Sequence, residues 1–166
     1  SAASDVYKRQ RRNRGRSETP TVALVGYTNA GKSTLFNRLT GANVLSKDML
    51  FATLDPTMRG MFLPSGRQIV LADTVGFISA LPTELVEAFK STLEEVVQAD
   101  LILHVHDMSS NLCSEEASDV FAVLDDIGID EHSRDDHLLH IFNKADIADE
   151  AVDIPFIQTV SYTHLR

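Results

Sequence analysis

One cysteine, Cys113, in 166 residues excludes an intrachain disulfide and a cysteine-built zinc site, and suits a reducing compartment. Cys113 reads as a small buried or half-buried filler. Nowhere does the chain run the ~18 to 20 apolar residues needed to cross a bilayer, and its N-terminus lacks the charged, then apolar, then small-residue order of a secretory signal. The expectation is a cytoplasmic protein with no membrane span. Also missing are a Ser/His/Asp hydrolase arrangement and a paired-carboxylate signature. What is present, 43% hydrophobic and 23% charged residues, fits one domain that buries roughly two-thirds of its unfolded surface, which excludes global disorder.

The net charge of -9 is unevenly spread. Residues 1 to 16 hold six basic side chains (Lys8, Arg9, Arg11, Arg12, Arg14, Arg16) against Asp5, or +5; the other 150 hold nine basic and 23 acidic, or -14. A basic run of this kind can neutralise nucleic-acid phosphates, whereas an acidic body is repelled by them. The bland reading is a solvated helix end or linker.

The domain is expected to begin near Pro20, after a basic segment at 1–19. Thr21 to Val25 is a short β-rich apolar run, followed by a Gly-containing loop and a helix from Lys32 to Thr40 stopped at Gly41. Residues 42 to 56 read as irregular. Met58 to Leu63 and Gln68 to Ala72 flank a Pro64-Ser65-Gly66 turn, a hairpin signal. A helix follows Pro82, with Leu85, Phe89, Leu93, Val96 and Val97 on one stripe. Then come a strand (Leu101 to Val105), a helix (Glu115 to Ile127, ended by Gly128), a strand (Leu138 to Phe142) and a last apolar run (Phe156 to Val160). No internal repeat is present. Alternating strands and helices predict an α/β fold: a mostly parallel sheet, one antiparallel edge hairpin, and helices on both faces. Ligands of such sheets bind at the carboxyl ends of the strands, which is where the chemically suggestive residues fall.

Gly26-Tyr27-Thr28-Asn29-Ala30-Gly31-Lys32-Ser33 fits GxxxxGKS between a strand and a helix, the context this phosphate-binding loop requires. Its glycines let backbone N–H groups wrap phosphate oxygens, and the helix N-terminus adds favourable potential. Lys32 would reach the β and γ phosphates, and the Ser33 hydroxyl would bind Mg²⁺. Asp73-Thr74-Val75-Gly76 follows the apolar strand. An Asp there can hold Mg²⁺, often through water, and the Gly76 amide can approach a γ-phosphate without Cβ interference. Taken alone, DxxG equally describes an ordinary strand-to-loop Asp with a turn Gly.

Asn143-Lys144-Ala145-Asp146 selects the base. The Asp146 carboxylate can accept from N1–H and N2–H₂ of guanine, whereas adenine presents an acceptor at N1 and leaves it unpaired. Rejection of that kind reaches about 10⁴. The Lys144 stem could lie over the purine face. All three motifs in this order arise by chance in about one chain in 10⁵ of average composition. Between the first two lies Leu50-Phe51-Ala52-Thr53-Leu54-Asp55-Pro56-Thr57, where Thr53 or Thr57 could complete the Mg²⁺ shell; spacing does not choose between them.

With these residues in view, the sequence resembles the translation-factor-related P-loop GTPases, and most closely the HflX family of ribosome-associated GTPases. The resemblance rests on Val22 to Asn37, Leu50 to Thr57, Ala72-Asp73-Thr74-Val75-Gly76-Phe77-Ile78, and Leu81-Pro82 followed by Leu85-Val86 and Ala88-Phe89, within about residues 10 to 160. It implies a GTPase domain over 20–160 that binds GTP and GDP with Mg²⁺. It assigns the nucleotide to 26–34, Thr34 included, to Phe51-Ala52-Thr53-Leu54-Asp55, to 73–76 and to 143–146, Ala145 included. The metal falls to Ser33, Thr53 and Asp73, and catalysis to Lys32, Thr53 and Gly76. The partner it implies is the large ribosomal subunit, in splitting or rescue of stalled ribosomes, with no DNA expected. Family members carry an N-terminal domain and a helical segment before this domain, of which only the basic end, Lys8 to Arg16, is present. A Ser-Ala pair expected at the guanine edge is replaced: Ser161 precedes Tyr162, so 161–166 reads as a truncated or foreign tail and 1–10 as foreign.

Hydrolysis also needs a group that orients water. Ras-like proteins place a Gln after the DxxG glycine; here Phe77 occupies that position and cannot hydrogen-bond water. Slow intrinsic turnover is expected, and Phe77→Gln is expected to change it. Remaining polar features have bland readings. His104 and His106, two apart on a strand, share a face and read as a packed or hydrogen-bonded pair rather than a metal site. His132, His137 and His140 look scattered. Asp125, Asp126, Asp130, Glu131, Asp135 and Asp136 read as a solvated acidic loop.

Overall fold

The structure, a computed structural model, describes residues 19–41, 57–74, 76–77 and 86–147. The last apolar run at 156–160, the start of the helix after Pro82 and both terminal segments lie outside the described residues, as do Phe51, Ala52, Thr53, Leu54, Asp55 and Val75.

The elements run β1 (Thr21–Gly26), α1 (Lys32–Thr40), β2 (Thr57–Phe62), β3 (Gln68–Asp73), α2 (Val86–Gln98), β4 (Leu101–Asp107), α3 (Cys113–Asp126), α4 (Glu131–His137), β5 (Leu138–Asn143) and a 3₁₀ turn (Ala145–Ile147). The five strands form one sheet in the order β2-β3-β1-β4-β5. β2 pairs antiparallel with β3, and the other three pairings are parallel. The architecture is the expected one. Parallel strands joined by helices point their carboxyl ends the same way, so Gly26, Asp73, Asp107 and Asn143 close on one rim.

Period-two alternation divides the apolar residues between two cores. Val22, Leu24, Ile69, Leu71 and Val105 face α1, where Phe36 is fully buried. Ala23, Val25 and Ile102 face the opposite way, against Phe89 and Val96 of α2 and Val120 and Leu124 of α3. Cys113 is buried at the start of α3, as expected of a filler. No helix among the described residues is long and apolar enough to cross a membrane.

Two expectations are corrected. The acidic stretch is not a loop: Asp125 and Asp126 end α3, and Glu131, Asp135 and Asp136 belong to α4, with Asp130 as its N-cap accepting from Ser133 N at 2.9 Å. The carboxylates of Asp125, Asp126, Glu131, Asp135 and Asp136 are solvated, as expected; the backbone beneath them is helical. His140 is not scattered. β5 runs parallel to β4 in a register that sets His140 opposite His104, and its Nδ1 lies 2.8 Å from His106 Nε2.

Candidate functional site

β1 ends at Gly26, where an added Cβ would stand 2.7 Å from the Val105 carbonyl oxygen. The following loop takes left-handed backbone at Asn29 (φ 63°) and Gly31 (φ 95°) before α1 begins. At Gly31 a Cβ would lie 2.2 Å from Asn143 Nδ2, so glycine is required on both counts. Among the described residues no side chain caps α1, and its first-turn amides are directed at the rim, the geometry that receives an anion. Tyr27, Thr28 and Ala30 form the turn between, with Ala30 N donating to the Tyr27 carbonyl at 3.1 Å.

Asp73 ends β3 beside this loop and is fully buried. Ser33 Oγ donates to Asp73 Oδ2 at 2.9 Å, and Lys32 Nζ stands 3.9 Å from Asp73 Oδ1, within ionic attraction but beyond a hydrogen bond. Burial pushes the Lys32 pKa below its ordinary value, and the Asp73 carboxylate opposes that shift. A buried cation, a hydroxyl and a carboxylate thus meet at the start of α1. Thr34 occupies the next helical position. Thr57, at the end of the segment that carries Thr53, opens β2 directly opposite Asp73.

The DxxG segment is sewn to the loop. Thr74 Oγ1 donates to the Leu24 carbonyl, Phe77 N donates to the Gly26 carbonyl at 2.9 Å, and Thr28 N donates to the Phe77 carbonyl at 2.8 Å. A Cβ on Gly76 would come within 3.0 Å of Thr28 Cα, so only glycine lets these backbones approach freely. Phe77 itself turns away from the rim. Its ring is fully buried and packs 5.5 Å from that of Phe89. The expectation for Phe77→Gln therefore changes: a glutamine at this position would lie in the apolar core, not beside a water at the rim.

Asn143 and Lys144 reach across from β5. Asn143 Nδ2 donates to the Ala30 carbonyl at 3.0 Å, and Lys144 Nζ donates to the Asn29 carbonyl at 3.0 Å. Lys144 adopts φ 58°, which swings the chain into the 3₁₀ turn where Ala145 and Asp146 sit exposed. Lys144 Nζ also pairs with Asp107 Oδ2 at 2.9 Å. Burial raises the Asp107 pKa, but hydrogen bonds from Ser109 and the Lys144 ammonium outweigh it and hold the carboxyl below its ordinary value. Asp107 was missed in the sequence; its only signal there is a carboxylate just beyond a predicted strand. The rim thus unites 26–34, 73–74, Gly76 and 143–146.

The family model described as 50S ribosome-binding GTPase matches residues 21–144. GTPase HflX of Caldanaerobacter subterraneus subsp. tengcongensis is 56% identical over 138 residues, covering 83% of this chain and 31% of that protein. GTPase HflX of Escherichia coli K12 is 50% identical over 140 residues, covering 84% and 32%. A solved GTP-binding protein from Sulfolobus solfataricus in complex with GDP is 36% identical with a TM-score of 0.59, covering 76% of this chain and 36% of that one. The chain spans about a third of the length of the curated relatives it matches. On its motifs, its rim and these similarities together, the chain belongs to the 50S ribosome-binding GTPase family, with the HflX GTPases as its relatives.

Proposed function

We propose that this chain is the cytoplasmic nucleotide-binding domain of an HflX-type protein that binds GTP and GDP, hydrolyses GTP to GDP and phosphate, and couples its nucleotide state to the large ribosomal subunit. The observation that carries this reading is the meeting of two ends on one loop: Lys32, Ser33 and Asp73 at its phosphate side, and Asn143 and Lys144 fastened to Ala30 and Asn29 at its base side.

Ser33 and Asp73 offer hard oxygen donors side by side, the donor set that suits Mg²⁺, and Thr53 would add a third. Mg²⁺ would supply charge neutralisation on the β and γ phosphates. Lys32 and the α1 amides orient and neutralise the phosphates, and the Gly76 amide donates to the transferring group. Asp146, exposed beyond β5, accepts from the guanine edge.

With Phe77 in the core, its side chain supplies no water-orienting group. Turnover by the isolated chain is then of order 10⁻³ per second or less, as for unstimulated small GTPases. The same burial favours a second reading, a GTP/GDP switch with negligible hydrolysis in isolation. Single-turnover hydrolysis with and without large ribosomal subunits separates the two. Acceleration by the subunits supports the enzyme, and unchanged negligible turnover supports the switch.

A further inference from the structure

We propose that His104, His106 and His140 form a site for a divalent transition-metal ion of the zinc type, distinct from the magnesium donors Ser33 and Asp73. The alternation of β4 puts His104 and His106 on one face, and the parallel register of β5 brings His140 beside them. One ring nitrogen from each lies within 4.8 Å of those of the other two. Zinc–nitrogen bonds of ~2.0 to 2.1 Å at tetrahedral angles set neighbouring nitrogens about 3.3 Å apart, so ligation requires the set to contract by at most about 1.5 Å.

A chain of hydrogen-bonded rings accounts for only part of the cluster. His106 Nε2 and His140 Nδ1 share one hydrogen bond at 2.8 Å, while the His104 and His106 rings lie face to face with centroids 3.9 Å apart. His104 Nδ1 is buried with no hydrogen-bond partner among the described residues. Packing alone would be served better by apolar side chains, because a buried unpaired polar atom costs about 1 to 3 kcal/mol.

The surroundings suit a nitrogen-ligated ion. Burial holds all three imidazoles below their ordinary pKa, His106 at about 3, so they are neutral and ready to ligate. Phe121 meets His104 edge-on and Phe142 stacks on His106, which walls the cluster, while half-buried His140 leaves an entrance. Arg134 opposes a cation here, an effect that its ion pair with Asp125 weakens. Three imidazoles select zinc, cobalt, nickel or copper over magnesium. The bound ion would tie β4 to β5 one residue before Asp107 and three before Asn143, bracing the strands that carry the base side of the rim.

The test is titration of Co²⁺, then Zn²⁺, into chelator-treated chain held in excess Mg²⁺. The expected result is one equivalent of Co²⁺ with the visible bands of a tetrahedral site, displaced by Zn²⁺. His140→Gln and His106→Phe should each weaken Zn²⁺ binding by at least about 100-fold, while His132→Gln and Asp73→Asn leave it unchanged. Should His106→Phe not fold, His140→Gln decides, since it alters the half-buried edge. No Zn²⁺ uptake, uptake indifferent to His140→Gln, or uptake that follows His132 or Asp73 would overturn the proposal.

Discussion

Lys144 and Asp107, 37 residues apart in sequence, form an ion pair of 2.9 Å that holds the base-side loop against the phosphate-side loop, because the same ammonium donates to the Asn29 carbonyl at 3.0 Å. Removing the charge should loosen both. The pair is partly solvated, so its contribution is about 1 kcal/mol, or roughly fivefold in affinity. Asp107→Asn should weaken binding of fluorescently labelled GDP by about that factor through a faster dissociation rate. Unaltered dissociation would show that the pair plays no part in holding nucleotide.

Gly31→Ala should be far more damaging than Gly41→Ala. Both glycines have positive φ, but a Cβ at Gly31 strikes Asn143 Nδ2, whereas at Gly41 it meets nothing among the described residues within 4 Å. Strain costs about 1 to 3 kcal/mol in either case, and only Gly31→Ala also breaks the Asn143–Ala30 bond. Thermal unfolding should fall in both variants, and GDP binding should be lost in Gly31→Ala alone. Equal GDP affinity in the two would contradict the assignment of that glycine to the site.

How the sequence conveyed this structure depends on range. The phosphate loop was legible because GxxxxGKS combines spacing, strand and helix in eight consecutive residues. The strands were legible because apolar runs bounded by turns mark them within a residue or two. Asp107 was not, since one carboxylate at a strand end has no local pattern and its role depends on Lys144. α4 escaped because Glu131–His137 carries no apolar stripe; its Asp130 cap is the one local signal. His140 escaped because only the β4–β5 register brings it to His106, and register is a property of the assembled sheet.

Phe77→Gln should cost about 3 kcal/mol of stability, combining lost apolar burial with a buried amide, and should leave GTP turnover no higher than in the parent chain. Denaturant unfolding and single-turnover hydrolysis on the same preparation check both halves. A rise in turnover would mean the side chain leaves the core to reach the rim.

Acid should destabilise the metal-free chain through its histidine cluster. The folded pKa of His104, His106 and His140 lies below the ordinary 6.5, so the unfolded chain binds protons first. Their contribution is complete above pH 6.5 and is lost progressively as pH falls from there towards about 3, the value for His106. The unfolding midpoint should drop between pH 7 and 5, and His140→Gln should flatten that drop. A midpoint rising as pH falls through this range would reverse the sign.

The proposed function requires a guanine nucleotide seated along the rim made by Gly26 to Thr34, Asp73, Thr74, Gly76 and Asn143 to Asp146. Calorimetric titration of the chain with GDP and with a non-hydrolysable GTP analogue, in Mg²⁺, tests it most directly. One site per chain for each nucleotide, undisturbed by excess ATP, is the predicted result. No heat with either nucleotide, or displacement of GDP by ATP at comparable concentration, would contradict it.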